Sequence, residues 1–313
     1  MQTSNKNTIG IVLVTLVLIL SVAVMADGAG ADIPAYSTDI TESDADKVVG
    51  DGDTIQGALE STSATDPVIL VTSGYDSSNE QDDTTKSYLI IANPELSAQD
   101  WSGELTLVSE DGPSNTVIDA QDADYAVVVG GDNTEATVKG FDIRNYNNVG
   151  ILAGSWHNVE SGNYVNPEEV DIFHNFLGRG PSDKFSYGVE LAYTTTGTIK
   201  YNELDMQGLT GDKEVGAVLV AETSDVVVSN NIITNGEESD ELGIAVATFG
   251  GMFSGVSVPV ENLTIKHNTI TGGKQGIGME AYEGETITGT TIVIPTCDSK
   301  VSACKKSTLS FIL

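Results

Sequence analysis

One asparagine register constrains this chain more than any other feature. Four segments align on it: Val170-Asp-Ile-Phe-His-Asn-Phe-Leu177, Gly197-Thr-Ile-Lys-Tyr-Asn-Glu-Leu204, Val226-Val-Val-Ser-Asn-Asn-Ile-Ile233 and Leu263-Thr-Ile-Lys-His-Asn-Thr-Ile270. The aligned asparagines are Asn175, Asn202, Asn231 and Asn268. Three residues before them stand Ile172, Ile199, Val228 and Ile265, and two residues after them stand Leu177, Leu204, Ile233 and Ile270. A degenerate earlier copy runs Val138-Lys-Gly-Phe-Asp-Ile143. After a variable gap each copy continues with glycine and an apolar strand: Gly150-Ile-Leu, Gly188-Val-Glu-Leu, Gly216-Ala-Val-Leu, Gly243-Ile-Ala-Val and Gly276-Ile-Gly-Met. One such unit cannot bury its apolar side alone, so the units must stack as coils in register. Period-2 alternation then turns Phe173, Lys200, Ser229 and Lys266 outward. The asparagines fall where the chain turns. Asparagine tolerates tight-turn backbone angles, and stacked amides can bond to one another. The register predicts a single line of asparagines with neighbours about 4.8 Å apart.

With its turns at His174-Asn175 and His267-Asn268, this repeat resembles the right-handed parallel β-helix of the pectin-lyase-like superfamily. That group includes pectate lyases, polygalacturonases and NosD-like, carbohydrate-associated surface proteins. The resemblance covers residues 48–290. It implies an all-β fold, a right-handed parallel β-helix (solenoid) with a short N-terminal capping helix. The cap is read at Asp51-Gly-Asp-Thr-Ile-Gln-Gly-Ala-Leu59. Asp53 is the expected N-cap, and Ile55, Ala58 and Leu59 share one helical face. Short strands are expected at residues 67–71, 88–92, 105–108 and 116–118.

The ends differ from the middle. Residues 9–26 are almost wholly apolar behind a polar start, and small residues follow, so residues 1–26 read as a signal peptide or N-terminal anchor. Residues 27–47 read as a flexible lead-in, residues 48–296 as the β-helix, and residues 297–313 as an atypical C-terminal tail. The tail holds the only two cysteines, Cys297 and Cys304, whose pairing in a disulfide is left open. The chain carries 46 acidic and 14 basic residues, a net charge of −32, which repels phosphate backbones and excludes nucleic acid as a partner. Such acidity fits either adaptation to high salt or a secreted protein kept soluble by charge. The expected location is secreted or at the cell surface, with membrane contact only through an uncleaved N-terminal segment.

A fold of this kind hosts many activities, so function has to be read from side chains. No phosphate-binding, zinc-protease or serine-hydrolase motif occurs, and the motifs that polygalacturonases carry are missing. The only arginines are Arg144 and Arg179. Asp142 and Glu203 fall in one outward column two coils, or about 10 Å, apart, near the upper end for an inverting glycosidase pair. They are the catalytic candidates, against a background of solvated carboxylates. Phe173, Lys200 and Lys266 in their outward column, and Trp156 in a loop, are the binding candidates; Trp101 is weighed as core or loop packing. His174 and His267 read as turn residues. Asn262-Leu-Thr264 is a glycosylation sequon. The resemblance admits Ca2+ as a lyase cofactor, but no ligand cluster supports it, so no metal and no cofactor is expected. Together these readings predict an exported β-helix protein that binds polysaccharide or envelope material without cleaving it. The alternatives are a lyase or hydrolase acting on acidic glycans, and a purely structural or adhesive envelope protein.

Overall fold

The structure, a computed structural model, describes residues 23–27, 31–73, 75, 77, 80, 87–91, 103–131, 134–154, 167–178, 186–193, 196–207, 215–235, 242–249, 258–272, 275–281, 285–295 and 309–312. Residues 1–22, Trp101, Trp156, Arg179, Cys297 and Cys304 lie outside them, and with them the apolar N-terminal run and the cysteine pairing.

The strands form three parallel sheets of ten, six and eight strands, here sheets I, II and III, with a further two-stranded pair. One coil illustrates the path. Thr196–Lys200 lies in sheet I, an asparagine turn follows, Glu203–Met206 lies in sheet II, and Val215–Ala221 lies in sheet III. The apolar columns stack as the repeat requires. Val138, Ile172, Ile199, Val228, Ile265 and Ile292 pair in succession in sheet I. Ile143, Leu177, Leu204, Ile233 and Ile270 do so in sheet II. Most of these side chains are fully buried and form one continuous core along the axis.

The asparagine turn explains why the coils keep this register. The Asn202 side-chain amide donates to the Ile172 carbonyl at 2.8 Å and to Asn231 Oδ1 at 3.0 Å. Asn231 repeats the pattern, donating to the Ile199 carbonyl and to Asn268 Oδ1, both at 2.9 Å. The backbone N–H of Asn175, Asn202 and Asn231 each donates to the next Oδ1 at 2.9 Å. Buried amides are thus paired on both sides, which removes the cost of enclosing them. Phe141 takes the ladder position in the preceding coil, and its N–H donates to Asn175 Oδ1. Just before the ladder, Gly140, His174, Tyr201, Asn230 and His267 all have positive φ, between 53° and 87°. His174 and His267 are therefore turn residues.

Three local readings are corrected. Thr54, not Asp53, caps the helix Ile55–Ser61: its side chain accepts from the Gly57 N–H, while the Asp53 carboxylate accepts from Gly50. Ile55 and Leu59 are buried, as the helical face required. In the sheet III glycine column, Gly216 pairs with Tyr187, so Ala217 is the residue in line with Gly150, Gly188 and Gly243. Ser229 is outward in its column yet only 1 % exposed.

The lead-in lies against the shaft. The Ala31 N–H donates to Thr269 Oγ1 near the C-terminal end. Five residues later the Tyr36 ring packs where a Cβ on Gly112 or Gly140 would stand, 2.6 and 2.5 Å away. Its hydroxyl donates to the Ser109 carbonyl, and its ring meets His174 edge-on at 5.9 Å. Lys139 Nζ donates to the Ser37 carbonyl at 2.9 Å. From the Asn268 coil to the Asn175 coil is three strand spacings, about 14 Å, close to the full reach of five residues, about 17 Å. Residues 31–36 must therefore run almost straight along the asparagine corner. Beyond them, Ala23–Asp27 pairs with Thr291–Pro295 at the end of sheet I, and Leu309–Ile312 of the tail extends sheet III beside Gln275–Glu280.

Candidate functional site

The outer face of sheet II gathers the most chemistry. Its short strands place two outward columns side by side, one residue either side of the buried Ile143–Leu177–Leu204 line. The first reads Val117, Asp142, Phe176, Glu203, Ile232 and Thr269. The second contains Asp119 and Arg144, and further along Gly178, Asp205 and Thr234. The Phe176 ring folds down over Gly178, so that a Cβ there would lie 2.9 Å from the ring. Gly178 is thus what lets an aromatic ring lie along the sheet surface. Phe176 is half-buried, and nothing in the sequence pattern beyond the aromatic-x-glycine spacing marks it.

Asp142 and Glu203 do share a column, as the register predicted, but Phe176 stands between them. A ring there occupies the space that a scissile bond and its attacking water need between two carboxylates. Asp142 is also engaged: Arg144 Nη1 lies 3.8 Å from Asp142 Oδ2, and Arg144 Nε 4.0 Å from Asp119 Oδ2. Burial pushes the Asp142 carboxyl up, Arg144 opposes this, and Asp119 adds to it. The second Asp142 oxygen, Oδ1, is buried without a hydrogen-bond donor. Beside this group opens a cavity of about 520 Å3, lined by Tyr75, Asn115, Val117, Asp119, Gln121 and Arg144, with Ser77.

The binding candidates of sheet I also share a column: Lys139, Phe173, Lys200, Ser229 and Lys266 pair in succession. Two of its three cations, Lys139 and Lys200, are occupied locally. Lys139 holds the lead-in and lies 5.5 Å from the Tyr36 ring, and Lys200 lies 4.4 Å over Tyr201. Burial, then Lys139 and Lys200, hold the His174 imidazole below its ordinary value, so it is neutral at pH 7. The remaining binding candidate, Trp156, lies outside the described residues. Asn262, in the sequon, is exposed in a positive-φ turn, with its side-chain amide donating to Asp225.

A family model for the right-handed beta helix region matches residues 113–293, more than half of the chain. The chain belongs to this family. The match spans the asparagine ladder and every residue of sheet II named above; of the cavity lining, Tyr75 and Ser77 fall outside it. Comparison of this β-helix with curated proteins and with solved structures gave no match. Among the described residues of the β-helix, no group of three or more His, Cys, Asp or Glu side chains is placed to hold a metal ion.

Proposed function

We propose that this β-helix is an exported surface protein that binds an extended polysaccharide on the outer face of sheet II without cleaving it. The carrying observation is the Phe176 ring laid over Gly178 between Asp142 and Glu203. An aromatic face stacks on the apolar face of a sugar ring, while flanking carboxylates accept hydrogen bonds from its hydroxyls. Sugars in an extended chain advance by about one strand spacing each, so neighbouring rings meet neighbouring coils. The cavity next to Arg144 receives the adjoining unit with amide and hydroxyl groups, the polar minority typical of ligand sites. The apolar run of residues 9–26, ahead of an acidic body, supports export with that run retained, so that Ala23–Asp27 stays paired with Thr291–Pro295. Sheet I's lysine column is the weaker surface, since Lys139 and Lys200 are engaged and Ser229, which parts Lys200 from Lys266, is buried.

The test is a binding screen of the β-helix against soluble polysaccharides, with chromatography of the products. Phe176→Ala should abolish retention of any polymer the wild type binds, with circular dichroism unchanged. Gly178→Val keeps the ring but pushes it off its seat, and should also weaken binding. Polymer shortened by the wild type, but not by Asp142→Asn or Glu203→Gln, replaces binding with hydrolysis.

A further inference from the structure

The charges around Phe176 narrow the ligand class, on the reading that sheet II binds a polysaccharide. Among the described residues, four carboxylates face this surface, those of Asp119, Asp142, Glu203 and Asp205, against one guanidinium, that of Arg144. The guanidinium is already shared between Asp119 and Asp142. Asp119 is satisfied by the Gln121 N–H at 3.1 Å and the Asn145 side-chain amide at 2.9 Å. Asp205 accepts the Gln207 N–H at 3.1 Å. Glu203 stands exposed on one side of the ring, and Asp142 Oδ1 on the other is a buried acceptor with no donor. Among the described residues of this face, acceptors therefore outnumber donors where a ligand would lie. Lys139 and Lys200 stand across the corner on sheet I, held by Ser37 and Tyr201.

We infer that the polymer bound here carries protonated amines, as a glucosamine chain does, and not carboxylates. An ammonium placed one unit from the stacked ring pairs with the exposed Glu203 and with Asp205 and offsets the local negative charge, while Asp142 Oδ1, being buried, adds to that charge without touching the ligand. A uronate chain meets the same carboxylates as like charges, which costs binding in a site that water only partly screens. An N-acetylated chain keeps the stacking and loses the ion pairs. The preference therefore lies between amine and acetamide at constant ring geometry.

The experiment measures wild-type binding by calorimetry at pH 6 and 0.15 M salt. The probes are chitosan oligosaccharide, its fully N-acetylated counterpart and oligogalacturonate of matched length. The expected result is binding of the amine chain at least tenfold tighter than of the acetylated one, and no binding of the uronate. Glu203→Gln with Asp205→Asn should remove most of that tenfold preference and leave weak acetylated-chain binding intact. Because the whole protein is acidic, Glu104→Gln with Glu169→Gln on sheet I makes the same change in net charge away from the site. That variant should bind as the wild type does. Equal losses in the two double variants mean bulk attraction and overturn the inference. So does a uronate, or an acetylated chain, binding as tightly as the amine chain; the polysaccharide reading then survives if Phe176→Ala still abolishes binding. Binding of the amine chain unaffected by Phe176→Ala, or no binding of any chain, overturns the reading itself.

Discussion

Replacing Asn231 with leucine isolates what the ladder contributes. Asn231 is fully buried, and leucine has nearly its shape but no polar atoms. The substitution removes the acceptor of the Asn202 N–H at 2.9 Å and of the Asn202 amide at 3.0 Å. It also removes the donors to the Ile199 carbonyl and to Asn268 Oδ1. Asn202's side-chain amide keeps the Ile172 carbonyl, and Asn268 Oδ1 keeps the Asn231 backbone N–H. The Asn202 N–H is left without an acceptor, and the Ile199 carbonyl loses a donor. At about 1–3 kcal/mol for the orphaned Asn202 N–H and about 1 kcal/mol for the donor the Ile199 carbonyl loses, the loss is about 2–4 kcal/mol. At roughly 2–4 °C per kcal/mol for a chain of this size, the melting temperature should fall by about 5–15 °C. The neighbouring Asn230 has φ 54° and no side chain in the ladder, so Asn230→Gly serves as the control and should leave stability within about 0.5 kcal/mol. Thermal melts by circular dichroism read both. A drop under about 2 °C for Asn231→Leu, or equal drops for the two variants, would refute the claim that paired amides hold the register.

Other perturbations test other parts of the molecule. Tyr36→Ala empties the notch at Gly112 and Gly140, and should cost about 1–3 kcal/mol and open residues 31–46 to limited proteolysis; an unchanged digestion pattern argues against a fixed lead-in. Glu190 is buried on the outer face of sheet III between Leu152 and Leu219, and burial pushes its carboxyl up to about 7. Its folded value exceeds its unfolded one, so its contribution is fully present below about pH 4.5 and is lost as pH rises through 7. Glu190→Gln should therefore gain on the wild type at pH 8 relative to pH 4, on the order of 3 kcal/mol, as read from urea melts at the two pH values. Parallel pH profiles would count against a buried carboxyl there. The net charge of −32 predicts a rising melting temperature from about 0.01 M to 1 M salt; a flat profile would leave ordinary solubility, not high-salt adaptation, as the meaning of the acidity.

The readable parts of this chain were those that repeat. Ile199 and Leu204 recur at fixed offsets from an asparagine, and a stacked fold turns that offset directly into contact. Even the Asp142–Glu203 column followed from counting. What stands between them did not announce itself, because Phe176 becomes a surface platform only through the absent side chain of Gly178. The lead-in was opaque for a different reason. Its composition is that of a loop, and what fixes it is a tyrosine meeting glycines 76 and 104 residues away, a complementarity no local window contains. The helix start was misjudged by one residue because Asp53 and Thr54 are both competent caps, and only the backbone decides between them.

The placement of residues 23–27 and 31–36 changes how this molecule carries load. A stacked solenoid held only by nearest neighbours peels from its free end, one coil at a time, at low force. Here the last coil is paired with residues 23–27, and residues 31–36 brace the shaft, tied near its C-terminal end at Ala31 and against its middle at Tyr36. Both described ends of the chain sit at the same end of the solenoid. A pull applied between them bears first on two neighbouring parallel sheets and not on a single exposed coil. Stretching from residue 23 to residue 312 should accordingly show one high initial rupture, followed by the low, regular steps of coils coming away.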